Sequence, residues 1–259
     1  MPLAVTMMGS GTSSGVPVIG CECVVCASRD PRNRRTRCGL KLEMEGGVVL
    51  VDTPTDLRQQ ALRFGLPRVD AVLYTHSHAD HILGADELRI FNFRQKAAIP
   101  CYGSPATLAA LRRSFHYIFE DGDQGAANHH QKPSLDLREV GDSFDLCGRR
   151  VEAIPVLHGD TEVLGYRLGG FAYVTDVSAI PEDGMARLKG LEVLILGALR
   201  YRPHPTHFSI DEAVEVVERL APRRAVLTHL SHEVDHSAPE RPLPPGVELG
   251  YDGLVLQVA

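Results

Sequence analysis

The sequence has no excess of positive charge, few cysteines and no long apolar run, and each of these features argues against a class of protein. Its 259 residues carry 27 Lys and Arg against 33 Asp and Glu, a net charge of -6. This balance argues against a protein that coats nucleic acid or an anionic membrane through bulk charge. No run of about 18 apolar residues is present, as a membrane span would need, and MPLAVTMMGSG has no cationic segment before its short apolar stretch. We therefore expect a soluble, cytoplasmic protein that does not bind membranes.

Six cysteines in a chain of this length are too few for a disulfide framework. Three of them stand together in GCECVVC, at 21, 23 and 26, and in a reducing compartment such crowding indicates a metal site. Cys38, Cys101 and Cys147 stand singly in apolar surroundings and are predicted to be core residues.

No internal repeat or low-complexity linker divides the chain, so we predict one domain over residues 1–259. Short apolar runs bounded by Gly, Pro or Asp predict strands over 3–8, 39–44, 48–52, 71–75, 98–103, 150–156, 164–168, 171–176, 192–197 and 224–229. Helical patterns occupy 55–65, 104–115, 180–190 and 209–222. Gly169-Gly170 predicts a hairpin, and the whole pattern indicates an α/β or α+β layered domain. Residues 116–133 fit neither period and are predicted to be a long loop, either disordered or a lid over a site.

The stretch THSHADHILG, residues 75–84, follows an apolar strand and places three histidines and an aspartate within six positions. His76 and His78 lie two residues apart, so they point the same way in an extended chain, and a turn at Ala79 would bring Asp80 and His81 beside them. Imidazole and carboxylate together suit zinc, iron, manganese or nickel, and the crowding of ligands predicts more than one ion.

Three further candidate ligands follow predicted strands: His158, Asp176 and His229. Loops at strand ends gather at one edge of a sheet, which would bring these side chains to the histidine motif. Five histidines and two aspartates are too many for one tetrahedral ion. They divide naturally into two sites that share a carboxylate.

THSHADH matches the HxHxDH signature of the metallo-β-lactamase superfamily, and the later candidates fall in that superfamily's order over nearly the whole chain. The resemblance implies an αββα fold of two facing sheets flanked by helices. It also implies that Asp176 bridges two metals, that Asp80 is both a ligand and a catalytic residue, and that Asp52 orients the histidines from behind. The alternative for Asp52 is a simple turn cap. The implied ligand sets are His76, His78 and His158 for one metal and Asp80, His81 and His229 for the other.

The segment MMGSGTSSGVPVIGCECVVC resembles the N-terminus of the PhnP-type phosphodiesterases, whose cysteine cluster binds a separate structural zinc. By this resemblance Cys21, Cys23, Cys26 and His232 form a closed tetrahedral site that ties the N-terminal loop to the loop of His229. The alternative is three buried thiols.

His207, in PHPTHFSIDEA, resembles the histidine that PhnP-type enzymes and tRNA 3′-processing nucleases place near their metals as a general acid. Thioester and lactam hydrolases of the superfamily do not generally carry it, so its presence favours phosphorus chemistry. The alternatives are a capping or a solvated histidine. His204 is predicted to be a surface residue.

Five arginines lie between positions 29 and 37. They form either a solvated face or a contact to the substrate phosphate, made by one or more of Arg32, Arg34, Arg35 and Arg37.

The sequence thus predicts hydrolysis of a small cyclic or nucleotide-like phosphodiester by a metal-bridging hydroxide, with two divalent ions, zinc or manganese, at the catalytic site and one structural zinc. The alternatives are a thioester or lactone hydrolase on the same metals and a PqqB-like accessory protein of cofactor biosynthesis. Nucleic acid is not an expected partner, because the charge is acidic and no long inserted arm is present. A homodimer is left open.

Overall fold

Two seven-stranded sheets are the framework of the chain in the computed structural model, which describes residues 2–120 and 132–259. The strand order is β14-β1-β2-β3-β4-β5-β6 in the first sheet and β13-β12-β11-β10-β9-β8-β7 in the second. The strands are β1 Leu3–Gly9, β2 Gly39–Met44, β3 Gly47–Val51, β4 Ala71–Leu73, β5 Ile99–Gly103, β6 Leu135–Glu139, β7 Ser143–Leu146, β8 Arg149–His158, β9 Thr161–Leu168, β10 Phe171–Val174, β11 Val193–Gly197, β12 Arg224–Thr228, β13 Val247–Leu249 and β14 Val255–Val258.

Eight α-helices in the described residues connect or cover these strands. They are α1 Val24–Ala27, α2 Leu57–Arg63, α3 Ala79–Ile82, α4 Arg89–Gln95, α5 Pro105–Ser114, α6 His116–Phe119, α7 Glu182–Arg187 and α8 Ile210–Leu220. None of the helices in these two ranges is long and apolar enough to cross a membrane.

Each sheet has an antiparallel half and a parallel half. In the first sheet β3, β4, β5 and β6 run parallel, and in the second sheet β10, β11, β12 and β13 do. Parallel strands are covered on both faces, which explains why β10 and β11 are continuous apolar runs with every residue buried. The predicted hairpin is confirmed: β9 pairs antiparallel with β10, and Gly169 at the turn has φ +59°.

Apolar side chains from both sheets form one central core, which contains Leu42, Val49, Tyr166 and Ile195. The helices add an outer layer on each side. Leu57 of α2, Phe91 of α4 and Leu111 of α5 pack on the first sheet, whereas Ile210, Ala213 and Val217 of α8 pack on the second. This helix–sheet–sheet–helix arrangement confirms the predicted αββα fold.

The start of α8 bears directly on the site, because the helix begins three residues after His207. The Ser209 side chain accepts a hydrogen bond from the Glu212 N–H, and the Glu212 carboxylate accepts one from the Ser209 N–H. This capping box is the predicted helix start and contributes about 1 kcal/mol. It fixes where the loop that carries His207 ends.

Several elements were not predicted. Strands β6 and β7 are half-exposed and charged, and α4 exposes Ile90 and Phe93 while burying Phe91, so none of them shows a clean apolar period. The predicted long loop 116–133 was wrong at its start, because residues 116–119 form α6. The remainder of that prediction falls mainly on 121–131, which lie outside the described residues.

Candidate metal centre

The candidate ligands follow the carboxyl ends of strands that run in the same direction, so they meet at one edge of the two sheets. Asp52 follows β3, the histidine motif follows β4, and His158 ends β8. Asp176 and His229 come just after β10 and β12. Asp52, Asp176 and His229 adopt left-handed backbone, with φ of +64°, +49° and +61°. All three therefore stand at the sheet edge in a backbone conformation that residues other than glycine seldom adopt.

Seven residues form two groups, each of which brings four ligand atoms within 4.8 Å of one another. Asp176 belongs to both groups and is 2 % exposed. The first group comprises His76, His78, His158 and Asp176, and the second comprises Asp80, His81, Asp176 and His229. These groups contain the same residues as the two ligand sets expected from the superfamily resemblance.

The distances in the second group suit a shared cation. His81 Nε2 lies 3.4 Å from Asp80 Oδ2 and 3.3 Å from Asp176 Oδ2, and His229 Nε2 lies 3.2 Å from Asp176 Oδ1. Ligand atoms around a tetrahedral ion with bonds of about 2.1 Å are separated by roughly 3.4 Å. Moreover, Nε2 of His76, His81 and His229 is buried without a hydrogen-bond partner. Buried nitrogens of this kind need a partner, and divalent cations fit the donor set.

The charges at the centre also favour a cation. Burial opposes ionisation of Asp176, but His229 and His81 outweigh it and hold the pKa of Asp176 well below its usual range. The pKa of Asp80 is also lowered, because the neighbouring His229 and His81 outweigh the effect of burial. Conversely, burial lowers the pKa of His81, but Asp176 and Asp52 outweigh burial and raise it well above its usual value. Two buried carboxylates therefore favour positive charge at the point where these side chains converge.

Hydrogen bonds at Nδ1 fix the ring orientation of two of the histidines, His81 and His158. The buried Asp52 carboxylate accepts a bond of 2.7 Å from His81 Nδ1 and two of 2.8 Å from Thr75, one from its N–H and one from its hydroxyl. His158 Nδ1 donates to the Thr206 carbonyl over 2.6 Å. Because both acceptors require a proton on Nδ1, Nε2 of each ring is the nitrogen that can bind a metal, which would take the place of any proton there. The alternative of Asp52 as a simple turn cap was wrong.

His207 forms one wall of the centre. Its side chain is 13 % exposed, and its Nδ1 lies 3.9 Å from Asp176 Oδ1. The ring stacks on His229 with 4.8 Å between centroids and lies 4.6 Å from the ring of His158. Burial, aided by the neighbouring His229, lowers the pKa of His207 to about 3. His207 is therefore neither a helix cap nor a solvated side chain.

His204 was predicted to be a surface residue, and its side chain is partly exposed but lies next to His207. It is half-buried, its ring lies 5.2 Å from that of His207, and its Nδ1 accepts hydrogen bonds from the N–H and the hydroxyl of Thr206. It stabilises the turn that precedes His207.

The N-terminal cysteines form a separate group with His232. His232 Nδ1 lies 3.3, 3.5 and 3.6 Å from the sulfurs of Cys21, Cys23 and Cys26. Around a tetrahedral zinc, nitrogen and sulfur ligands are about 3.6 Å apart. The Cys26 N–H donates to the Cys23 sulfur, and this bond is the largest of the effects that lower the pKa of Cys23 to about 6, where the thiolate that zinc requires is accessible. These residues fit a closed zinc site.

The other cysteines lie away from this group. Cys38 and Cys101 are fully buried, and Cys147 packs partly buried against the central core.

Three arginines of the segment 29–37 form hydrogen bonds with other groups of the chain. Arg35 is 1 % exposed and donates to the carbonyls of Ser231 and Val234 and to the Asn33 side chain. The predicted contact between Arg35 and substrate was wrong, because its guanidinium is buried and used within the chain. Arg37 pairs with Asp56 and donates to the Ser13 carbonyl, and Arg34 donates to the Ser28 carbonyl.

Sequence reasoning missed two groups that support the centre. Thr75 binds Asp52 through both its N–H and its hydroxyl, and it could have been noticed as the first residue of the histidine motif. Thr206 acts through its carbonyl, which every residue type carries, so no sequence signal could have identified it.

Comparison with known proteins agrees with this geometry. Residues 48–230 match the family model described as the beta-lactamase superfamily domain. The crystal structure of a diphosphatase from the PhnP family has a TM-score of 0.92 and 42 % identity and covers 99 % of this chain and 97 % of that one. Zinc-bound PqqB from Methylobacterium extorquens shares the fold, with a TM-score of 0.76 and 20 % identity over 98 % of this chain and 99 % of that one.

A curated relative extends beyond this chain. The octanoyltransferase of Porphyromonas gingivalis is 37 % identical over 253 residues, which are 96 % of this chain but 50 % of that protein. The chain therefore spans about half the length of this relative. The family match over most of the chain, the shared architecture and the two histidine–aspartate groups lead to one conclusion: the chain belongs to the metallo-β-lactamase superfamily and has the fold of its hydrolases.

Proposed function

We propose that this chain is a metal-dependent phosphodiesterase that hydrolyses a small cyclic or nucleotide-like phosphodiester. One observation carries the proposal: His207 lies between His158 and His229, beside the carboxylate that the two ligand groups share. An imidazole at this place can reach a group bound over both metal positions. The 42 % identity to a PhnP-family diphosphatase supports phosphorus chemistry independently.

The ligand groups would each hold one divalent ion, zinc or manganese. His76, His78 and His158 would hold the first, Asp80, His81 and His229 the second, and Asp176 both. Two ions so placed supply Lewis acidity, which lowers the pKa of water and offsets charge on a phosphate. Cys21, Cys23, Cys26 and His232 would hold a third ion, a zinc without an open position and hence structural.

The protein's own groups do the positioning and the proton transfer. Asp52 and the Thr206 carbonyl keep His81 and His158 in the form that binds metal. His207 gives its proton to the leaving oxygen, which as an alkoxide is strongly basic. Because burial lowers the pKa of His207 to about 3, the free chain carries this ring neutral at pH 7. Negative charge on a bound phosphate would raise that pKa, so substrate binding would favour the proton on His207.

The test is the turnover of a panel of cyclic diesters, linear diesters, thioesters and lactones by protein of measured metal content. We expect turnover of diesters that disappears in Asp176→Asn. Turnover confined to thioesters or lactones would refute the proposal.

A second candidate, hydrolysis of an acyl thioester, is favoured by the 37 % identity to a protein named octanoyltransferase. It requires no general acid, so its turnover should survive His207→Ala. A PqqB-like accessory role, the remaining alternative, predicts bound metal without turnover of any member of the panel.

A further inference from the structure

Residues 198–209 form the loop between β11 and α8, which we call the His207 loop. Backbone hydrogen bonds join its first residues to its last ones. The Leu199 N–H donates to the Phe208 carbonyl, and the Ile210 N–H donates to the Arg200 carbonyl. The closed part carries both groups that face the metal centre: the Thr206 carbonyl, which accepts from His158, and the His207 ring. The placement of His207 therefore depends on what holds this loop.

A single carboxylate, that of Glu233, bonds the two arginines of the loop. Its Oε1 accepts from Arg200 Nη1 at 3.0 Å, and its Oε2 accepts from Nε and Nη2 of Arg202 at 3.0 and 2.8 Å. The Arg200 guanidinium continues into the loop and donates to the carbonyl of Arg202 at 3.3 Å and to that of Pro203 at 3.5 Å. Charged and partly bidentate bonds of this kind fix geometry better than neutral ones.

Glu233 itself stands on a fixed segment. The Ser231 N–H donates to the Leu199 carbonyl, the Ser231 carbonyl accepts from the buried Arg35, and the Ser231 hydroxyl accepts from the Glu233 N–H. The neighbouring His232 belongs to the cysteine group. The carboxylate thus connects a firmly held segment to a loop that otherwise ends in solvent, where the Arg202 side chain is 72 % exposed.

We infer that Glu233 is a positioning residue for His207: it holds Arg200 and Arg202 together, and these hold the turn in which His207 faces the metal centre. Without its charge, two guanidinium groups would repel each other beside the turn. The bond from the Ser231 N–H to the Leu199 carbonyl would still hold the base of the His207 loop, but the arginine side chains would lose their shared acceptor. The inference rests on the proposed function, because it assigns to Glu233 an effect on proton delivery.

The test compares Glu233→Gln with His207→Ala and with the double variant, at saturating metal, on one diester with an alkyl leaving group and one with a nitrophenyl group. Glu152→Gln is the matched control. Glu152 also lies between two arginines, Arg167 at 3.9 Å and Arg187 at 3.8 Å, and its side chain is 34 % exposed against 28 % for Glu233. Metal content and melting temperature are measured for every variant.

We expect Glu233→Gln to lose on the order of tenfold or more in kcat on the alkyl diester, since small misplacements of a catalytic group can cost as much as a hundredfold. The nitrophenyl diester should be nearly unaffected, because nitrophenolate leaves without a proton. The loss should vanish in the His207→Ala background, since both changes then act on the same step. Glu152→Gln should retain wild-type turnover on both substrates.

Three results would contradict the inference: wild-type turnover of Glu233→Gln, an equal loss on both diesters, or losses that add in the double variant. A different result tests the proposed function itself. If the single variant His207→Ala showed no dependence on the leaving group, the general acid itself would be refuted, and the role of Glu233 would fall with it.

Discussion

Replacement of Asp52 by asparagine should weaken the second metal group without altering its ligands. Asparagine has nearly the same shape and tolerates the backbone φ of +64° at this position, so the fold should persist. The amide oxygen can still accept from Thr75, but the amide NH₂ then faces His81 Nδ1, where the carboxylate accepts at 2.7 Å. Two donors cannot bond each other, so His81 must move its proton to Nε2, the nitrogen that faces Asp80 and Asp176.

The size of the effect follows from this change of tautomer. An imidazole protonated at Nε2 cannot bind a metal there, so each binding event must first return the proton to Nδ1 against an unfavourable contact. Loss of such a supporting partner typically costs 10–100-fold in metal affinity, equivalent to about 1.4–2.7 kcal/mol. The group of His76, His78 and His158 does not contact Asp52 and should retain its affinity more fully.

Competition with a chromophoric chelator measures the affinity of each metal in turn. The control is Asp70→Asn, which removes a carboxylate that binds the Val48 N–H and Arg68 and belongs to neither ligand group. An unchanged affinity in Asp52→Asn, or an equal loss in Asp70→Asn, would refute the reasoning.

Four further predictions concern the metals and the general acid. Purified protein should bind about three metal ions per chain, as counted by elemental analysis, and a count of two with freely reactive cysteine thiols would exclude the structural zinc. Asp176→Asn should lose metal from both catalytic groups, and full occupancy with normal turnover would contradict the shared ligand. His207→Ala should keep both catalytic metals and lose on the order of 10²–10⁴ in turnover of alkyl diesters; missing metal would make it a ligand instead. Cys23→Ser should lower the melting temperature more than kcat, since a hundredfold weaker zinc site costs about 2.7 kcal/mol of stability; unchanged stability with lost turnover would move the cysteines into the active site.

The histidine motif and the strand ends could be predicted from the sequence, because alternation and apolar runs are local signals. The expected helix start at Ser209 is likewise a local pattern, and the capping box is present. By contrast, the place of Arg35 depends on Ser231 and Val234, about two hundred residues away, and a run of five arginines has no feature that distinguishes a buried member from exposed ones.

The strands at the edges of the sheets were not predicted from the sequence, for a different reason. Strands β6 and β7 lie at the borders of the two sheets, where charged side chains blunt the edge and erase the apolar period. The connection of Glu233 to Arg200 and Arg202 was also missed, because paired charges on two loops give no periodic signal.

The residues with left-handed backbone at the strand ends lower the stability of the fold, although their side chains are the ones that metal binding needs. Asp52, Asp176 and His229 each hold a conformation that costs non-glycine residues about 1–2 kcal/mol, and glycine at any of the three would relieve that cost. A laboratory selection of the metal-free chain for heat resistance should therefore accumulate glycine or asparagine at positions 176 and 229. At position 52 only asparagine is expected, because glycine would leave the buried Thr75 N–H without its acceptor. The selected variants would have the highest thermal stability and the weakest metal binding. Stability selections on this protein should therefore be made with metal present.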